Sequence, residues 1–464
     1  MDEVNKKNDL LSHIRVLLFP SLILSMPLDF TAKKTLSSSK LIKTRINTWK
    51  NEENGWMKLL QELQMEKPMA TTNTRTAERR AASLERAISK KIATGQISAA
   101  TRLLNSNGLA PVTPKTVELL RELFPAGAPV HPPDIDPNTI CPAVTKEEIR
   151  TVKKTFGKGS APGYSGARLE HFIDIDNTCS PVTKDKLEEA LSKYFTIIIQ
   201  GKMPVQLSRY FNASRLLALL KDPNNPDSIR PIGIGDKFRR FAGKIIMARH
   251  KQKIRDFFQP NQLGFSSGGG EAITHAAIRI LEEYGDDENL SCLDMDFSMA
   301  FQSVSRQTML EECHQHFPEL YPYVRFLYQS PAMMIIDKNN VINSTEGVTQ
   351  GCTFGSFGFG LVLHKLIRKI NAIPNLQLKM LEFFLDDGKA IGKHEDLKRI
   401  FNLIKEEGPS YGLNLNETKC KSYWPKQRDL TTEEQIPVEI TPANNGLKFL
   451  GSPFSLNADF INSF

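Results

Sequence analysis

Two short segments carry the residues best suited to chemistry: Leu293-Asp294-Met295-Asp296-Phe297-Ser298-Met299-Ala300-Phe301 and, further along, Phe383-Phe384-Leu385-Asp386-Asp387-Gly388. Each puts carboxylates at the end of an apolar, strand-like run, and Gln350-Gly351 lies between them in a Gly-rich stretch. Carboxylates brought to strand ends from distant sequence suit hard divalent cations. Oxygen-only ligands favour Mg²⁺ or Mn²⁺, which keep coordination places for water and substrate phosphates. Two such ions, roughly 3.5–4 Å apart, clamp the attacking and leaving oxygens of a phosphoryl transfer. The expected chemistry is nucleotidyl transfer.

The elements that must position these residues are legible in outline. Along a strand over 290–296 alternate residues share a face, so Asp294 and Asp296 point the same way. Asp-Gly after a strand signals a hairpin turn, which would expose Asp386 and Asp387 together. Carboxylates that close repel one another and need cations to stay ionised. Ser214–Leu220 and Ile229–Ile234 read as strands joined by Asp222-Pro223-Asn224-Asn225-Pro226. Lys221 and Arg230 flank that tip, where a triphosphate could be gripped, Arg in bidentate fashion and Lys as a point charge. Two solvent-facing cations are the commoner meaning of such a hairpin. Gly351, Gly355, Gly358 and Gly360 leave room for close backbone approach to a ligand, while Phe354, Phe357 and Phe359 offer packing or stacking surfaces.

Thr145-Lys146-Glu147-Glu148 is a capping box that opens a helix with Ile149, Val152 and Phe156 on one face. It ends in the basic loop Gly157-Lys158-Gly159-Ser160-Ala161-Pro162-Gly163. A helix over 271–284 carries Ile273, Ala277, Ile280, Leu281 and Tyr284 at helical spacing and stops at Gly285.

The order of these motifs resembles the palm of a reverse transcriptase, most closely those of non-LTR retrotransposons. Asp296 with Ala300-Phe301 resembles the first palm motif, and Gly347-Val348-Thr349-Gln350-Gly351-Cys352 with Ser356 the Gln-Gly motif. Phe384-Leu385-Asp386-Asp387 resembles the aromatic-x-Asp-Asp box. Gly412-Leu413-Asn414-Leu415-Asn416 with Lys419-Cys420 resembles the lysine motif that follows, and Leu447-Lys448-Phe449-Leu450-Gly451 the primer-grip hairpin. Leu219-Leu220-Lys221 and Arg230-Pro231-Ile232 resemble the fingers. The resemblance implies that Asp296 and Asp386 share two Mg²⁺ or Mn²⁺ ions, with Asp387 supporting one. It implies Lys419 as a general acid for pyrophosphate and Lys221, Arg230, Phe301, Gln350 and Gly351 as nucleotide-binding residues. The resemblance also implies Asp296, and not Asp294, as the ligand, because the family places an aromatic five residues after it, where this chain has Phe301. Phe357 stands where many relatives carry Pro, and Cys352-Thr353 where many carry Asp-Pro; both departures bear on template handling. Tyr284-Gly285-Asp286-Asp287 spells the viral RNA polymerase signature, but it ends a helix ahead of the first palm strand and is rejected as the catalytic pair.

Hydrophobic content of 40% and charged content of 24% are ordinary for a globular chain, and 464 residues allow two or three domains. The net charge of +8 is uneven: residues 1–100 hold seventeen Lys and Arg against ten Asp and Glu, and 202–256 hold thirteen against four. Surfaces of that kind attract phosphate backbones. Six cysteines without a Cys-x-x-Cys pair form neither a disulfide framework nor a zinc ribbon. Cys313-His314-Gln315-His316 is not a metal site either, since helical neighbours one and two apart do not share a face. The apolar run Val16–Met26 is about half a bilayer span and is broken by Pro20.

The expected fold is α+β, with right-hand fingers and palm, an antiparallel palm sheet with packed helices, and a thumb absent or truncated. The expected divisions are an irregular basic leader over 1–74, a helical region and Pro-rich linker over 75–142, fingers over 143–289, and palm with primer-grip hairpin over 290–464. Expected partners are an RNA template, a DNA or RNA primer and dNTPs, with no membrane, and a separate endonuclease or element-encoded partner for target cleavage. The expected location is intracellular, nuclear or cytoplasmic, and not secreted. A catalytically silent RNA-binding descendant is the alternative, and an RNA-dependent RNA polymerase a more distant one.

Overall fold

Leu290–Met295 is buried along nearly its whole length and forms the central strand of a five-stranded sheet. Asp387–Lys393 and Lys421–Tyr423 flank it, both antiparallel, with Leu378–Phe384 and Glu439–Thr441 at the edges. A central strand is covered on both faces, so apolar residues fall on both, interrupted here by Ser291 and Asp294. One face carries Leu290 and Cys292 with Ile391, and packs on helix Gly269–Tyr284 through Ile273, Ala277 and Leu281. The other carries Leu293 and Ala390 into the main core, which includes helices Gly355–Asn371 and His394–Glu407. Asp294 falls on the first face, opposite Lys389. The computed structural model describes residues 1–25, 38–65, 77–93, 95, 97–157, 159–426, 435–441 and 445–464. Lys158 of the basic loop and Met26 of the apolar run lie outside the described residues.

A four-stranded sheet has the order Asn225–Gly235, Ser214–Asp222, Ala332–Ile335, Val341–Ser344. Its hairpin pairs from Ser214 with Gly235 through Leu219 with Arg230 to Asp222 with Asn225. Both strands run longer than the apolar pattern indicates, because backbone pairing continues through polar residues to the tip. Leu216, Ala218 and Ile229 are buried on one face; Lys221 and Arg230 share the other.

The two sheets interleave along the chain, so a division between residues 289 and 290 does not separate two bodies. Helix Gly269–Tyr284, from before that boundary, packs on the five-stranded sheet. Strands Ala332–Ile335 and Val341–Ser344, from after it, complete the four-stranded one.

The described residues of the leader, 1–25 and 38–65, are mostly helical; 26–37 and 66–74 lie outside the described residues. Helices Asp2–Lys7, Leu10–Phe19, Ser38–Asn51 and Gly55–Met65 surround a π-helical turn at Pro20–Leu24. The apolar run is core: Leu17 joins the main cluster, while Leu22 and Ile23 pack with Ile42, Ile46, Trp49 and Leu59. An amphipathic helix spanning Trp49 to Leu63 is broken in two, with Asn54 in the left-handed region at φ 56°. The Asn-Gly pair there outweighs the apolar periodicity. No described helix is long and apolar enough to cross a membrane. The proline-rich stretch is extended but docked: the Tyr321 hydroxyl donates to Pro133 O at 2.5 Å, and Arg325 pairs with Asp134 at 3.1 Å. The capping box at Thr145 and Glu148 forms in both directions.

Candidate active site

Asp296 stands just past the end of the central strand, tied by its backbone to a distant turn. Its carbonyl accepts from Asn416 N–H at 2.8 Å, and its N–H donates to Cys420 Sγ at 3.4 Å. A two-residue ladder, Phe297 with Leu415 and Ser298 with Asn414, continues the attachment. Lys419 is thereby carried to Asp296, Nζ to Oδ2 3.4 Å.

Asp386 and Asp387 lie on the hairpin between Leu378–Phe384 and Asp387–Lys393. The turn is Leu385-Asp386, not Asp387-Gly388, because Asp387 already pairs with Phe384. Gly388 is a strand residue whose added Cβ would meet the Phe383 ring at 2.5 Å, so glycine is required there for packing. Leu385 supplies the positive φ of 57° that closes the turn.

Electrostatics join these segments to the four-stranded sheet. Burial pushes the Asp386 carboxyl above the usual carboxylate range; repulsion from Asp387 and Asp296 adds to this, and Arg230 opposes it. Burial lowers the Lys221 ammonium, as do Lys419 and Arg230, while Asp296 pulls it upward. Arg230 of the first hairpin thus faces Asp386 of the second, and Lys221 faces Asp296. Asp294 is raised by burial against the pull of Lys389, its ion-pair partner. A cleft of about 1080 Å³ is lined by Asp294, Asp296, Asp387, Lys389, Lys419 and Lys448, among others.

The Gln-Gly loop abuts the same hairpin. Gln350 O accepts from Gly233 N–H at 3.2 Å, and a Cβ on Gly351, at φ 88°, would approach Gly233 O at 3.1 Å. Gln350 Oε1 is buried and has no hydrogen-bond partner among the described residues. Phe301 is 8% exposed and stacks on Phe359 at 4.9 Å, while its carbonyl accepts from Val348 N–H at 2.6 Å. Gly358 and Gly360 serve packing and not ligand approach: added Cβ atoms would meet Met309 Sδ at 2.7 Å and the Phe265 ring at 2.9 Å. Phe354, Phe357 and Phe359 are fully buried. Asp287, in the rejected Tyr-Gly-Asp-Asp segment, accepts from Asn289 N–H at 2.9 Å in a local turn.

Among the described residues, no three His, Cys, Asp or Glu side chains are gathered at metal-ligand spacing. Asp296, Asp386 and Asp387 nevertheless offer the oxygen-only donor set of a hard cation, and positive charge would relieve the repulsion felt at Asp386. Lys419 and Lys389 draw Asp296 and Asp294 into ion pairs instead.

A family model described as reverse transcriptase (RNA-dependent DNA polymerase) matches residues 220–454, half of the chain. The chain belongs to the reverse transcriptase family. That span contains the carboxylates, the hairpin that bears Asp386 and Asp387, the tip and second strand of the first hairpin, and the Gln-Gly loop. Solved structures similar to this reverse transcriptase include telomerase from Candida albicans in complex with a TWJ fragment of telomeric RNA, 12% identical with a TM-score of 0.37, covering 50% of this chain and 44% of that one. Apo telomerase from Candida tropicalis truncated from its C-terminal domain is 12% identical with a TM-score of 0.34, covering 47% and 51%. The chain spans about half the length of these telomerases.

Two features of this reverse transcriptase site escape motif reading. Lys389, 3% exposed and 5.1 Å from the Phe449 ring centre, is opposite Asp294 by register. Its signal was its place two residues beyond Asp387, on the same strand face. Asn261 and Gln262 clamp the hairpin of Asp386 and Asp387 from outside the sheet, and nothing in their residue types announces it.

Proposed function

We propose that this chain is the RNA-directed DNA polymerase of a non-LTR-like retroelement, adding dNTPs to a primer 3′-hydroxyl on an RNA template. The supporting observation is the convergence of Asp296, Asp386 and Asp387 with Lys221 and Arg230 from separate parts of the chain. In this reading Asp296 and Asp386 hold two Mg²⁺ or Mn²⁺ ions and Asp387 supports one. Bound there, the ions supply positive charge to the attacking and leaving oxygens. Lys221 and Arg230 bind and orient the triphosphate. Gln350, with its Oε1 unpaired among the described residues, and Gly351 take the template–nucleotide pair. Phe301 lies beneath the incoming sugar. Lys419 holds a proton at Nζ for the departing pyrophosphate. The DNA or RNA primer runs along the hairpin of Leu447–Phe449 and Ser452–Phe454.

The test is dNTP incorporation on a homopolymer-primed RNA template by purified protein, with and without Mg²⁺ or Mn²⁺. Metal-dependent incorporation lost in Asp296→Ala and in Asp386→Ala supports the reading; substantial activity in either variant overturns the assignment. A second reading, an RNA-binding descendant without catalysis, is favoured by the two lysines that already neutralise Asp294 and Asp296. RNA binding without incorporation under any divalent ion would select it.

A further inference from the structure

Asp386 takes its direction from the residue before it. Leu385 is in the left-handed region at φ 57°, which L side chains adopt reluctantly and keep only where the surroundings hold them. Besides the packing of its own side chain on the main core, one side chain bonds both of its backbone groups. Gln262 Oε1 accepts from Leu385 N–H at 2.9 Å, and Gln262 Nε2 donates to Leu385 O at 3.0 Å. The same Oε1 accepts from Gly264 N–H at 3.0 Å, which fixes the amide orientation, since only the oxygen can accept from two N–H groups. Gln262 is 1% exposed, and its own N–H donates to Phe258 O at 2.9 Å. Neighbouring Asn261 accepts from Phe383 N–H at 2.7 Å and donates to Leu381 O at 2.7 Å.

Covering the edge of Leu378–Phe384 accounts for Asn261, because an open strand edge needs partners. It does not account for Gln262, whose carboxamide gives both of its ends to one strained turn residue beside the reactive acid. From this we infer that Gln262 is a positioning residue: its carboxamide locks Leu385 left-handed and so aims Asp386 at the divalent-cation site. The inference rests on the two-ion reading above.

Mn²⁺ binding, followed by electron paramagnetic resonance, and thermal unfolding test it alongside incorporation. The variants are Gln262→Ala, the volume-conserving Gln262→Met, and Gln262→Ala combined with Leu385→Gly. Loss of an outer support for a metal ligand typically costs about 10–100-fold in metal affinity or activity, so both single variants should bind Mn²⁺ at least about tenfold more weakly. Their KM for dNTP should stay within about twofold while kcat falls, because the loss acts on the reacting centre and not on ground-state binding. Glycine adopts the left-handed conformation at no steric cost, so the double variant should regain much of the lost affinity and kcat. A merely stabilising Gln262 predicts the opposite, because Leu385→Gly also deletes packing. Unchanged Mn²⁺ affinity in folded Gln262→Met, or failure of the glycine to rescue, overturns the inference. Mn²⁺ binding without incorporation by the unsubstituted protein would defeat the polymerase reading and leave Gln262 judged on binding alone. Absence of Mn²⁺ binding would defeat both.

Discussion

At Asp386, burial and two neighbouring carboxylates all favour the neutral acid. A carboxyl held more tightly protonated in the folded state than in the unfolded chain makes stability fall as pH rises from its ordinary value through the raised one. Without divalent ions, Asp386→Asn should therefore unfold at a higher temperature than the parent at pH 7, and the gap should close near pH 4. Thermal unfolding at both pH values measures it; equal melting at pH 7 would show that the carboxylates do not strain one another. Phe301 poses a sharper question, being both 8% exposed and stacked on Phe359. If its ring lies under the incoming sugar, it fills the space of a 2′-hydroxyl and offers no hydrogen bond. Phe301→Val should then raise ribonucleotide use relative to deoxyribonucleotide while lowering overall efficiency. Competition between rNTP and dNTP on one primed template decides it, and an unchanged sugar ratio marks Phe301 as core alone.

At the scale of elements, the hairpin of Ser214–Asp222 and Asn225–Gly235 presents Lys221 and Arg230 on its unburied face. Lys221→Ala and Arg230→Ala should each raise the KM for dNTP, by about ten- to a hundredfold for loss of one charge-assisted phosphate contact worth about 1.5–3 kcal/mol. Unaltered dNTP kinetics in Arg230→Ala would remove the hairpin from the triphosphate site. The helix Lys237–Arg249 has a different charge task. Lys237, Arg240 and Lys244 lie 5.2, 5.8 and 4.9 Å from the Phe156 ring centre. Burial, with Arg240 and Lys244 adding repulsion, lowers Lys237 to about 8. Cations that crowd each other in this way favour an anionic neighbour. Arg240→Glu and Lys244→Glu should weaken RNA template binding and flatten its dependence on salt, with little effect on the KM for dNTP. Filter binding at two salt concentrations tests this, and an unchanged slope would assign the cluster to packing.

Across the whole molecule, the leader helices and the main core are joined, because Val4 and Leu17 belong to the same buried cluster as Leu293 and Phe383. Acid should loosen that core through two buried imidazoles. Burial lowers His13 and His364 each to about 4, and in the unfolded chain they titrate near 6.5. The unfolded chain therefore binds protons first, and stability present above about pH 6.5 is lost as pH falls toward 4. The slope is at most about 1.4 kcal/mol per pH unit for each ring. His364→Phe and His13→Gln should each flatten the decline in denaturant midpoint over that range; an unaltered profile would mean the rings are not held neutral.

Local pattern by itself determined much of this protein. The Thr145–Glu148 box opened its helix, and the helical spacing of Ile273, Ala277 and Leu281 buried one face of another. Each of these depends on neighbours within a few residues, which is the range over which backbone geometry correlates side chains. Signals of equal strength misled where a longer-range contact won. Asp-Gly yielded the turn to Leu385-Asp386 because Gly388 pairs with Met295 in the central strand and Asp387 with Phe384, and the described part of the leader is helical because Leu22 and Ile23 find Ile46 and Leu59 to bury against. Register and docking were decided only by the tertiary structure: Lys389 opposite Asp294, Lys419 carried to Asp296 by Asn416, and Gln262 reaching Leu385. These pairs lie 95, 123 and 123 residues apart. No periodicity extends that far, so only the closing of sheets and loops around a common core could bring them together.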